Sequence, residues 1–308
     1  MKLSVVSPVY NAERIIPTLV ERIENAVSPI FNDYEIVLVE DCSSDNSWAV
    51  IEALAAKNRH VVAAKLSKNF GQHPAIMAGL SLATGDKIVV MDCDLQDQPE
   101  EIEKLFKAMQ TGYDIVLAKR SNRQDGFFKK LFSRIFFKTY SYLTDSKFDN
   151  TIANFGIYDR KVIDEVLKMS DYIKSFPLFV NWVGFRTTSI EVVHAKRAEG
   201  KTSYTYRKLF KLAFDTIISF SNKPLKIFVK IGMLISLISF LVGIYTLYKY
   251  FAGEIKVLGY SSIMISIWFL SGMMITITGV VGIYIGKIFD QSKNRKPFIV
   301  EKTVNYES

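Results

Sequence analysis

The chain has 308 residues, 49% of them hydrophobic, and a formal net charge of +8; this length holds one sizeable α/β domain plus a further region, and the mean hydropathy of +0.15 is high for a water-soluble protein. Only two cysteines are present, Cys42 and Cys93, each beside an acidic residue and expected in a reducing compartment, so no structural disulfide is expected and no metal-thiolate spacing exists. The basic surplus gathers near apolar C-terminal segments and forms no stripe with nucleic-acid motifs, so an anionic lipid surface explains it better than DNA or RNA.

Residues 1–30 lack a basic start followed by an apolar core, so no cleavable signal peptide is expected. The chain opens instead on a strand, Leu3-Ser4-Val5-Val6. Residues 3–9 and 34–39 are short apolar runs rich in β-branched residues, and a helical pattern over 13–27 separates them, which predicts a βαβ unit. Residues 47–58 predict a second helix, 61–66 a third strand, 72–83 a helix and 87–91 a fourth strand. This alternation predicts a mostly parallel sheet between helical layers. Gly79 and Gly85 do not form a G-x-G-x-x-G turn after the first strand, so the dinucleotide fingerprint is absent.

Acidic clusters end two of these strands: Glu40-Asp41-Cys42-Ser43-Ser44-Asp45 and Asp92-Cys93-Asp94-Leu95-Gln96-Asp97. In a parallel sheet both strand ends point the same way, and ligands bind just beyond them. Carboxylates at i and i+2 can converge on one hard cation, and Mg²⁺ or Mn²⁺ keeps open positions for phosphates. The bland alternative is a solvated acidic turn before a helix near Pro99. At the first cluster a carboxylate can accept from ribose hydroxyls or a base N–H. Asp45, Asn46 and Ser47 are equally good N-cap residues before Trp48, so Asp45 carries both readings.

Further on, Phe128, Leu131, Phe132, Ile135 and Phe136 recur at helical spacing with Lys129, Lys130, Arg134 and Lys138 elsewhere, an interfacial-helix pattern. Residues 206–220 are similar, with Lys208 and Lys211 beside Leu209, Leu212 and Phe214; helices packed on a domain core are the alternative for both. Ile231 to Tyr248 and Val257 to Gly286 run without a charge, close to or beyond the roughly 20 residues that span a bilayer. Buried core helices are the weaker alternative. Lys223, Lys226 and Lys230 precede the first run, and Lys287, Lys293, Arg295 and Lys296 follow the second. The short loop Lys249 to Lys256 carries Glu254, so both chain ends are expected on the cytoplasmic side.

The order of motifs adds a resemblance. Val5-Val6-Ser7-Pro8-Val9-Tyr10-Asn11, Val39 to Asp45, Asn69-Phe70-Gly71-Gln72, Asp92 to Glu100, Phe148 to Arg160, Trp182 to Arg186, Arg197 to Tyr204, Ser219 to Leu225 and the two apolar runs follow one another as in a known group. The chain resembles a family 2 glycosyltransferase of the GT-A fold, in the polyprenyl-phosphate group that includes dolichyl-phosphate mannose synthase and bactoprenol glucosyltransferases.

That resemblance implies an α/β, Rossmann-like GT-A cytoplasmic domain over 1–222 with interfacial helices at 127–145 and 204–222. A two-helix transmembrane region over 223–290 and a cytoplasmic tail over 291–308 follow, in a bacterial inner membrane. It implies that Pro8 and Tyr10 floor a nucleotide pocket, although Tyr10 is equally a packed aromatic, and that Glu13, Asp41, Asp45 and Asp92 bind the nucleotide sugar. Asp92, Asp94 and Gln96 would hold Mg²⁺ or Mn²⁺ against the diphosphate. Arg197 and Lys201 would hold phosphate, with solvated surface charge as their alternative. Asp92, Asp94, Arg197 and Lys201 form the implied catalytic set.

The reaction implied is metal-dependent, inverting transfer of a sugar to undecaprenyl phosphate. Extension of a lipid-linked saccharide, or a non-catalytic regulatory role, is the alternative. The implied partners are the donor, the acceptor lipid and the bilayer; a homo-oligomer is compatible and nucleic acid is not. The chain departs from the group at Glu40 (usually Asp), Cys42 (usually Gly), Asn154 (often acidic), Gly156 (often Arg) and Thr202-Ser203-Tyr204 (often Ser-Lys-Tyr). Altered nucleotide or sugar preference, with binding kept, is expected from Glu40 and Cys42; Asn154 either leaves lipid-phosphate chemistry intact or marks a changed substrate, and Lys201 stands for the displaced lysine of the basic loop.

Overall fold

The computed structural model describes residues 1–120, 152–169, 171, 175–193, 223–252, 259–293 and 295–306. The chain divides into two compact units, one of Met1–Phe137, Ser146–Tyr204 and Arg295–Ser308, the other of Lys138–Asp145 and Thr205–Asn294. The expected interfacial stretches at 127–145 and 204–222 lie outside the described residues.

In the first unit β1 (Lys2–Val9), α1 (Ile16–Val27), β2 (Asp33–Glu40), α2 (Ser47–Lys57), β3 (Val61–Leu66), α3 (Gln72–Leu82) and β4 (Lys87–Val90) follow the sequence expectation closely. A 3₁₀ turn at Pro99–Glu101 runs into α4 (Ile102–Met109). Then come β5 (Ile115–Arg120), β6 (Ile152–Asp159), α5 (Arg160–Lys168), α6 (Phe176–Trp182), β7 (Thr187–Val192) and, after the second unit, β8 (Val300–Val304). They form one sheet in the order β7-β5-β6-β4-β1-β2-β3-β8.

β1 runs parallel to both β2 and β4, and β2 runs parallel to β3, as helical crossovers require. Outside this centre the sheet is mixed. β4 and β5, joined by α4, point the same way but are not neighbours, because β6 lies between them antiparallel to both. β7 pairs parallel with β5, and β8 antiparallel with β3.

Helix α1 buries Ile16, Leu19, Val20, Ile23 and Val27, the stripe that a 3.6-residue period places on one face, against Leu3, Val5, Ile36 and Leu38. On the other side of the sheet α3 lies close to β1 and β2, where a Cβ added at Gly79 would meet Val6 Cγ1 at 2.4 Å and Val39 Cγ2 at 3.1 Å. That contact fixes α3 so that its first turn stands at the carboxyl ends of the central strands.

At the opposite end of the sheet the buried Glu35 carboxylate accepts from Ser4 Oγ and Thr84 N–H, both at 2.6 Å, and pairs with Lys2 Nζ at 2.8 Å. Burial alone would raise its pKa; the donors from Lys2, Ser4 and Thr84 outweigh that and hold it below the usual carboxylate range.

The edge of β3 is covered by β8, with Ala63 opposite Val304, Lys65 opposite Lys302 and Leu66 opposite Val300. Asn305 follows in the left-handed region, φ 58°. Its side-chain amide donates to the carbonyls of Ala55 (2.6 Å), Val61 (3.0 Å) and Asn58 (3.2 Å). Lys302 pairs with Glu52, and Lys65 with Glu301 at 3.4 Å.

The second unit contains α7 (Lys223–Phe251) and α8 (Tyr260–Ser292). Among the described residues one segment, Ser266–Ser292 of α8, is long and apolar enough to cross a membrane, and its apolar stretch is not buried. Two spans were expected. α7 forms as a helix over the first of them, and its Leu234, Leu237, Ile238 and Leu241 are 51–58% exposed.

Candidate active site

The carboxyl ends of β1, β2 and β4 lie side by side at the centre of the sheet, and most of the expected site residues fall there. Pro8 is in β1, and Tyr10, just beyond it, is 46% exposed. The loops after β1 and β2 are stitched together. Asn11, at φ 51°, donates its N–H to Ser43 Oγ at 3.0 Å, and its side-chain oxygen accepts from Ser44 N–H at 3.0 Å. Glu13 N–H donates to Asp45 Oδ2 at 3.1 Å, while Glu13 Oε2 accepts from Asn46 N–H at 3.0 Å, a reciprocal latch.

Asp45 also accepts from the Ser47 hydroxyl at 2.6 Å. Burial would raise its pKa, but the Ser47 hydroxyl and the N–H groups of Glu13 and Ser47 prevail and hold it below the ordinary value. Asn46, and not Asp45, occupies the N-cap position of α2, without a side-chain cap bond.

Asp41 is 3% exposed, and its two carboxylate oxygens accept from Phe70 N–H at 2.7 Å and Gly71 N–H at 2.8 Å. Burial raises its pKa against the pull of those two donors, and the neighbouring Glu40 pushes the same way. The carboxylate expected to read base or ribose thus faces the β3–α3 loop. Glu40 is buried and accepts from Ser43 N–H, and its Oε2 has no partner among the described residues.

Asp92 and Asp94 follow β4 and are half-buried. Gln72 Nε2, in the first turn of α3, donates to Asp92 Oδ1 at 2.6 Å; Asp94 Oδ1 accepts from Gln96 N–H at 3.1 Å, in a turn that Leu95 makes at φ 57°. Between them the Cys93 thiol is pushed up to about 12 by burial and by Asp92, so in the metal-free protein it stays protonated at neutral pH. Among the described residues no group of three or more His, Cys, Asp or Glu side chains is placed to hold a metal ion. Two carboxylates and one amide remain, hard oxygen donors of the kind that suit a cation completing its shell with water and phosphate.

His73, next to Gln72, has its Nδ1 sealed from solvent without a partner among the described residues, and burial lowers its pKa to about 4. The antiparallel pairing of Val90 with Gly156 brings Asn154, two residues earlier on β6, to the crevice end of β4. A Cβ added at Gly156 would lie 3.0 Å from the Val116 carbonyl oxygen, so glycine suits this strand position. Arg197 and Lys201 lie outside the described residues. The Gln72–Asp92 bond and the Asn11–Ser43–Ser44 stitches were not anticipated, although Asn69-Phe70-Gly71-Gln72 and Asn11 stood inside motifs already singled out.

Acidic turns thus group at the ends of the central parallel strands of a mixed α/β sheet. Residues 4–167 match the family model described as Glycosyl transferase family 2. The chain is 35% identical to the glycosyltransferase YkcC of Bacillus subtilis over 309 residues, covering 100% of this chain and 96% of that protein. It is 35% identical to the SfII prophage-derived bactoprenol glucosyl transferase of Shigella flexneri, covering 98% of both. With the undecaprenyl-phosphate 4-deoxy-4-formamido-L-arabinose transferase of Proteus mirabilis it shares 34% identity, covering 98% of this chain and 94% of that protein. The chain belongs to glycosyl transferase family 2 and is a glycosyltransferase.

Proposed function

We propose that this enzyme transfers a sugar, with inversion, from a nucleotide sugar to a polyprenyl phosphate at the cytoplasmic face of a bacterial plasma membrane. The observation that carries the reading is end-to-end similarity, apolar helices included, to transferases named for bactoprenol and undecaprenyl phosphate.

In this reading Pro8 and Tyr10 floor the nucleotide pocket, and Glu13 and Asp45 hold its two loops together. Asp41 acts through the β3–α3 loop. Asp92, Asp94 and Gln96 are the residues that would hold Mg²⁺ or Mn²⁺, which when bound neutralises charge on the departing nucleoside diphosphate. Arg197 and Lys201 take the acceptor phosphate or the diphosphate, Arg by bidentate bonds and Lys as a mobile point charge.

Asn154 cannot accept a proton, which suits an acceptor that needs no base. A phosphomonoester has a second pKa of about 6 and is largely ionised at pH 7, so its oxygen attacks the anomeric carbon directly, opposite the leaving group. A sugar hydroxyl acceptor would need a base that Asn154 does not supply. α7 and α8 together form the membrane anchor, and the lysines before α7 and the basic residues after α8 keep both ends cytoplasmic.

The test is full-length protein in detergent with Mg²⁺, undecaprenyl phosphate and a panel of sugar nucleotides. The expected result is release of nucleoside diphosphate and a lipid-linked monosaccharide identified by mass spectrometry. Absence of lipid-linked product with every donor overturns the reading, and a product formed only on glycosylated carriers replaces it with chain extension.

A further inference from the structure

The loop joining β3 to α3 connects the two acidic clusters. At one end Asp41, at the tip of β2, accepts from Phe70 and Gly71 N–H at 2.7 and 2.8 Å. One residue later the Gln72 amide reaches Asp92, at the tip of β4, at 2.6 Å. In the sheet β1 lies between β2 and β4, so these bonds bridge the carboxyl end of β1, where Pro8 and Tyr10 stand. The bridge has fixed footings. Gly71 adopts φ +96°, which L side chains rarely take, and α3 is seated against Val6 and Val39 through Gly79.

We infer that Gln72 is a positioning residue for the transfer reaction: its side-chain amide sets the orientation in which Asp92 meets the divalent cation and the donor diphosphate, and Asp41 sets where Gln72 stands. The inference rests on the metal reading proposed above. The chemistry suits the role, because an amide N–H orients a carboxylate without bringing a charge that competes with the cation. A lysine at 72 would compete, and a glutamate would repel Asp92. Groups that orient metal ligands typically change metal affinity by 10–100-fold when removed.

The test compares wild-type protein with Gln72→Leu, which keeps the size and loses the donor, as full-length chains in detergent. Mn²⁺ binding is followed by electron paramagnetic resonance in the presence of UDP or GDP, alongside the melting temperature without metal. Gln72→Leu is expected to weaken Mn²⁺ binding roughly 10–100-fold with an unchanged metal-free melting temperature, and excess Mn²⁺ is expected to recover its turnover. Gln72→Asn retains the amide but is one methylene short; it should show the same loss and serves if the leucine variant folds poorly. Mn²⁺ binding by both variants as tight as wild type overturns the role of Gln72 alone. No Mn²⁺ binding by the wild-type protein with either nucleotide overturns the metal reading itself.

Discussion

His73 and Glu35 both make stability depend on pH, and in the same direction. His73 titrates at about 4 when folded and near 6.5 when unfolded, so between those values the unfolded chain binds more protons and stability falls as pH falls. The loss over that window is on the order of 3 kcal/mol. Glu35 has its pKa depressed by Lys2, Ser4 and Thr84, so its contribution is present above the ordinary carboxylate range and is lost as pH drops through its folded value. The melting temperature of the detergent-solubilised protein is therefore expected to hold above about pH 6.5 and to decline below it. His73→Leu should flatten the decline between 6.5 and 4 and leave the steeper acid loss in place; an unchanged curve would contradict the assignment. Residues at this scale were legible where their chemistry is local. Asp92 and Asp94 stand out in the sequence by an i, i+2 spacing at a strand end, and they do lie just beyond β4; their hold on a cation belongs to the proposed function. Asp41 clamping Phe70 and Gln72 gripping Asp92 join residues 29 and 20 positions apart, and only the sheet order brings them together.

Elements were legible as far as their burial imposes a period. The first four strands are apolar because helices cover both faces, and α1 shows a single buried stripe, so residues 3–91 read correctly to within a few positions. β8 carries no such signal. Val300-Glu301-Lys302-Thr303-Val304 exposes its three middle residues and is placed by pairing, ion pairs and Asn305 instead of by a buried face. β6 is equally hidden from a pattern that assumes crossovers, because it enters the sheet antiparallel between two strands joined by a helix. The Asn305 side-chain amide, within hydrogen-bond reach of three backbone carbonyls that share its two hydrogens, anchors the end of β8. Asn305→Ala is expected to lower stability by about 1–3 kcal/mol and to raise amide exchange in Val300–Val304 and in β3, while α1 and β1 keep their protection. Exchange that stays unchanged in both strands would show that pairing and ion pairs suffice.

The two units meet water on opposite terms. The first folds around its own core of α1, α2, α4 and the sheet. α8 presents Trp268, Phe269, Met274 and Ile275 at 63–74% exposure, and its apolar stretch is not buried. At 1.5 Å per residue the 27 residues of Ser266–Ser292 extend about 40 Å, more than the roughly 30 Å of a bilayer's hydrocarbon core. The charge-free stretch of this helix, which ends at Gly286, stands out in the sequence without tertiary information, whereas a second span of the same character does not emerge among the described residues. A helix so exposed lowers its free energy by leaving water, since apolar burial contributes about 25 cal/mol per Å². The protein expressed in bacteria is therefore expected to stay with membranes through an alkaline carbonate wash. Gly279→Arg, near the middle of the α8 apolar run, should oppose insertion by about 2.5–3.5 kcal/mol and move a measurable share of the chain out of the washed membrane pellet. The same substitution in detergent should leave the melting of the first unit unchanged, because that unit does not include residue 279. Wild-type chain recovered in the wash supernatant would remove the membrane anchor from the proposed function.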